Sequence, residues 1–91
     1  MSFGANDLDR LALLLHRLLD ADMLVDADAA ALLGGVEAAR ALLTAGATEA
    51  GLKHVEHVAD FTEALVHSDL LKPTDGLAVI TAARRILSED A

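Results

Sequence analysis

The sequence predicts an all-α fold: a four-helix arrangement of two αα-hairpins related by an internal repeat. Three observations lead there. Alanine and leucine supply most of an apolar fraction of 54%, while aromatic residues make up 2%; that balance favours helix, because strands draw on β-branched and aromatic side chains. Apolar residues recur at three- and four-residue spacing in four stretches, each bounded by turn or capping residues. One shift of the chain on itself also aligns a turn and a cap as well as the apolar positions.

The elements follow in order. Residues 1–7 read as a polar, flexible lead, with Asn6 or Asp7 capping a first helix from Leu8 to Asp20. Leu8, Leu11, Leu14, Leu15, Leu18 and Leu19 form its stripe, and Arg10 and Arg17 lie opposite. Leu13 falls among the polar positions, where a monomer would leave it wet. After a connection over Ala21–Ala27, the stretch Asp26 to Thr44 holds the second helix, capped by Asp26 or Asp28 and ended by Gly46.

At about 100° per residue, Ala29, Leu32, Leu33, Val36, Ala39 and Leu43 share one face of this helix. The other side carries Ala31, Gly34, Gly35, Ala38 and Leu42, small or apolar rather than charged. A helix apolar on nearly all sides must be covered on both, by the rest of the chain or by a second copy of it.

Thr48 is expected to cap a third helix running to His67, with Val55, Val58, Phe61, Thr62, Leu65 and Val66 inward. Pro73 precedes Thr74, the expected cap of a fourth helix over Asp75–Ser88. That helix buries Val79, Ile80, Ala83, Ile86 and Leu87, with Arg84 and Arg85 near the end where cations complement the macrodipole.

The repeat lays Asp22-Met23-Leu24 on Asp69-Leu70-Leu71, Asp28 on Asp75, and Leu32-Leu33 on Val79-Ile80. Each half thus reads as helix, D-[ML]-L turn, capping Asp and second helix. A single helical domain over 8–88 results, with hairpin one at 8–44 and hairpin two at 48–88.

Composition excludes several classes. Cysteine is absent, so neither a disulfide framework nor a thiolate zinc site can form. The formal net charge of −8 opposes binding nucleic acid through its phosphates and permits a basic protein partner. Glu37 and Arg40, with two glycines, interrupt the longest low-charge window, which argues against a membrane span. The start MSFGANDLDR lacks a signal-peptide pattern, so the expected location is the cytoplasm.

The run Ala39-Arg40-Ala41-Leu42-Leu43-Thr44-Ala45-Gly46, then Leu52, Val55, Val58 and Phe61, then Ile80 through Leu87, resembles the FIMAH domain. The resemblance covers Leu8 to Leu87. It implies a small helical module of the kind appended to larger, often secreted proteins, and it brings no catalytic residue.

His54 and His57 are the most suggestive chemistry, since spacing i, i+3 makes them neighbours on a helix. They are candidate metal ligands or a pH-sensitive contact, but a zinc site needs two more ligands that no apolar stripe supplies. The bland alternative is a boundary histidine satisfied by a backbone carbonyl. From Asp20, an EF-hand loop would need glycine at Val25 and glutamate at Ala31, so Asp20, Asp22, Asp26 and Asp28 read as helix termination and capping. Glu37 and Arg40 read as a surface salt bridge, and His16 and His67 as solvated.

The expectation is a non-enzymatic, cofactor-free helical interaction module, a self-associating scaffold or accessory subunit. A homodimer is the simplest form, with another protein as a further partner. Its interface would use Leu13, Ala31, Gly34, Gly35, Ala38 and Leu42. The alternatives are a small-ligand or metal-binding bundle using His54 and His57, and an acidic inhibitor or immunity-type protein for a basic partner.

Overall fold

The computed structural model describes residues 5–89, all-α among them. Four helices occupy them: α1 (Ala5–Asp20), α2 (Asp26–Thr44), α3 (Thr48–His67) and α4 (Pro73–Glu89). Connections of three to five residues force consecutive helices to run antiparallel. Each helix packs beside its neighbour in sequence and α4 closes back on α1, while the diagonal pairs make no close backbone approach. The result is a closed bundle measuring 35 × 20 × 18 Å. No described helix is long and apolar enough to cross a membrane.

The core is built on the stripes read from the sequence, with Leu11 and Leu15, Leu32 and Val36, Val55 and Val58, and Val79 and Ile86 fully buried. Ile80 and Leu87, expected inside, are half-buried, and Leu24, Leu71 and Ala82 join from outside the stripes. Thr62 is buried with them, its hydroxyl donating to the Val58 carbonyl at 2.7 Å. Phe61 departs from expectation: it is 37% exposed, and Ala59 is buried instead. α3 lies between α2 and α4, which centres its inner face on Val55, Val58 and Thr62 and leaves the larger ring at the margin.

Two glycines let α2 and α3 come close. A Cβ on Gly35 would stand 2.9 Å from Val58 Cγ2. One on Gly51 would stand 2.7 Å from Leu43 Cγ and 3.3 Å from the Ala39 carbonyl oxygen. Each glycine thus makes room for a branched side chain of the facing helix.

All three connections end their helix in the same way. Met23 N–H donates to the Leu18 carbonyl, Ala47 to Leu42 and Leu70 to Leu65, at 2.8–2.9 Å. The preceding residue has positive φ each time: Asp22 at 58°, Gly46 at 88° and Asp69 at 61°. This is the Schellman closure, which satisfies carbonyls that the last turn leaves free. Asp22 and Asp69, aligned by the sequence shift, therefore share one backbone conformation.

The helix starts differ from the sequence reading. α1 begins at Ala5, ahead of Asn6 and Asp7, so only residues 1–4 of the expected lead lie outside the described residues. Val25 and Ala47 occupy the cap positions of α2 and α3, with no side-chain cap bond. α4 begins at Pro73, so Thr74 is already helical. Asp7, Asp26, Asp28, Glu49 and Asp75 instead stand in first turns, where the macrodipole favours negative charge without a cap bond. α4 also runs on to Glu89, which leaves Arg84 and Arg85 short of its last turn; Arg84 reaches Glu63 on α3 at 3.6 Å.

Candidate functional site

Four of the residues singled out in the sequence, Ala31, Gly35, His54 and His57, meet along the α2–α3 seam. A shallow groove of ≈ 230 Å³ runs there, with Ala31, Leu32 and Gly35 on one wall and His54, His57, Val58 and Phe61 on the other. It exists because Gly35 and Ala31 raise no side chain of size opposite α3. Its floor is apolar and its polar groups are the two imidazoles. His54 is half-buried and His57 exposed, with ring centroids 6.3 Å apart and the rings edge to face at 79°.

Two imidazoles supply two ligands, and a tetrahedral zinc site takes four, or three and a water. No group of three or more His, Cys, Asp or Glu able to hold a metal occurs among the described residues. The groove walls carry no carboxylate, hydroxyl or thiol, so the two imidazoles are the side chains there that can move a proton. What the groove can do is accept an apolar side chain and offer it hydrogen-bonding rings at the rim.

The expected interface residues fall into three groups. Gly35 points at Val58 of the chain's own α3, and Leu42 is half-buried. Ala31 and Gly34 are exposed and Ala38 half-buried. Leu13 is 50% exposed on α1. The small-residue side of α2 is therefore split: one edge is used by α3, and the remainder faces outward.

That outward strip runs Ala27, Ala31, Gly34, Ala38 and Ala41, exposed except at Ala38. Their spacing alternates four and three, which at ~100° per residue keeps all five within about 80° of arc. Glu37 and Arg40 stand to one side of this strip and Asp28 to the other. Arg40 turns toward α1, its Nη2 2.7 Å from Asp9 Oδ1, with Glu37 Oε1 farther off at 3.8 Å. The Glu37–Arg40 pair read from the sequence is present, but the closer partner, Asp9, was invisible there because it belongs to another helix. His16 and His67 are exposed.

No family model matches the chain, and no curated protein or solved structure matches it significantly. The resemblance to the FIMAH domain rests on the sequence pattern alone.

Proposed function

We propose that the chain is a non-enzymatic helical interaction module that self-associates through the outward strip of α2, serving as scaffold or accessory subunit of a larger assembly. The observation that carries this reading is the exposed run Ala27, Ala31, Gly34, Ala38 and Ala41. A four-three alternation is the spacing at which two helices stay in register along a seam. Alanine and glycine at that seam let backbones approach closely and lose no rotamer freedom when buried. A two-fold dimer presents the same strip from both copies, so one surface satisfies both.

The second reading, a small-ligand or metal-binding bundle at His54 and His57, is less well supported. The groove's ≈ 230 Å³ falls below the ~300–1,000 Å³ of typical ligand pockets, and its rim offers two metal ligands. It fits a partner's side chain better than a free molecule.

The test is Gly34→Glu with mass measured in solution. A Cβ at Gly34 meets nothing within 4 Å, so the isolated fold accommodates the change, while a charge enters the middle of the seam. The parent chain should be a dimer and the variant a monomer of unchanged helicity. A parent chain that stays monomeric at high micromolar concentration sinks the proposal.

A further inference from the structure

The connections Ala21–Val25 and Ser68–Lys72 lie together at one end of the bundle and enclose a groove of ≈ 350 Å³. The Schellman closure sorts the residues of each. It sends Leu24 and Leu71 into the core, 4% exposed apiece, and leaves Met23 half-buried and Leu70 exposed, both on the groove. Leu70 is 61% exposed, Val25 beside it in the first connection 62%, and Leu77 in the second turn of α4 62%. These are the three most exposed large apolar side chains among the described residues. Asp22, Asp69 and Lys72 line the groove, and Asp20, Asp26 and Arg17, close to the first connection in the chain, are exposed as well.

The third connection shows what this end gives up. At the opposite end the same closure uses Gly46, the residue that adopts positive φ without strain. Here the same backbone position holds Asp22 and Asp69, and both line the groove, with Lys72 beside them. A second copy would bring a like-charged end against this one, and such a juxtaposition is repelled. An apolar segment carrying positive charge matches both the exposed side chains and the rim.

We propose that this end of the bundle docks a basic, apolar-anchored segment of another protein, its apolar side chains against Met23, Val25 and Leu70 and its cations against Asp22 and Asp69.

The probes are two synthetic amphipathic peptides of equal length, one of leucine and lysine and one of leucine and glutamate, titrated into the isotope-labelled full chain. The lysine peptide should bind saturably, with amide shifts concentrated at 21–26 and 68–77, and the glutamate peptide should not bind. Asp22→Gly with Asp69→Gly should weaken that binding about tenfold or more while raising Tm, because glycine relieves positive φ. Loss of binding in a more stable protein cannot be a folding defect. Leu70→Ser, at an exposed position, should weaken it as well. Shifts spread along other helix faces, equal binding of both peptides, or affinity untouched by the double substitution would overturn the proposal. So would concentration-dependent shifts at this end in the chain alone, which would make a second copy the occupant.

Discussion

Adjacent glycines in α2 have opposite surroundings, and that difference is measurable. Glycine in a helix interior costs about 1 kcal/mol relative to alanine. At Gly34 a Cβ meets nothing within 4 Å, so Gly34→Ala should stabilise the dilute chain by about 0.5–1 kcal/mol. At Gly35 the added carbon stands 2.9 Å from Val58 Cγ2, on a stiff, buried side chain, and the strain offsets the gain. Gly51→Ala, wedged against Leu43 and the Ala39 carbonyl, should destabilise by about 1–3 kcal/mol. Urea midpoints should therefore order Gly34→Ala above Gly35→Ala above Gly51→Ala; equal shifts at 34 and 35 would mean that α2 and α3 are not in close contact. Thr62→Val is a milder case. Its hydroxyl is a donor to a carbonyl that already belongs to the helix, so removing it orphans no acceptor, and the change should stay within about 1 kcal/mol.

At the scale of elements, the two hairpin connections are alike in φ and in hydrogen bonding, and each buries one leucine, Leu24 or Leu71. Leu24→Ala and Leu71→Ala should each cost about 2–5 kcal/mol, as large-to-small changes in a packed core do. Chemical denaturation of the two variants should give similar losses, and a silent Leu24→Ala beside a severe Leu71→Ala would show that the hairpins differ mechanically. The helices themselves were legible in the sequence, because a three-four apolar period is a local property; α2 ends at Thr44 as read, while its start at Asp26 takes in two residues that the sequence reading left in the connection. The caps were not. Asp26, Thr48 and Thr74 belong to the residue types that cap helices, but whether such a residue caps or sits one step inside depends on the dihedral angles of a single position. At α2 and α3 those positions went to Val25 and Ala47.

For the whole molecule, the net charge of −8 on a body 35 × 20 × 18 Å makes self-repulsion a stability term. The Debye length is about 30 Å at 0.01 M salt and about 8 Å at 0.15 M, so nearly all charges interact in the first condition and only neighbours in the second. The interhelical pairs Arg40–Asp9 and Arg84–Glu63 are substantially exposed, and such pairs contribute about 0–1 kcal/mol each. Repulsion should win, and Tm should rise between about 0.01 M and 0.15 M sodium chloride. A falling Tm would mean that these pairs outweigh the excess of carboxylates. The same salt should weaken binding of the lysine peptide at the turn end, since that contact is an attraction between opposite charges.

By itself the sequence determined that this chain is four helices with apolar stripes on known positions, since periodicity, glycine stops and proline depend on residues a few places apart. It also located the small-residue side of α2 and the His54–His57 pair. The tertiary structure decided which surfaces those features meet. Gly35 serves the chain's own α3, Phe61 lies at the margin of the core, and Arg40 finds Asp9. Two connections far apart in the chain form one groove. Each of these outcomes depends on which helix lies beside which. That neighbourhood is settled by closing the ring α1–α2–α3–α4, a choice among whole-chain packings that no local spacing encodes.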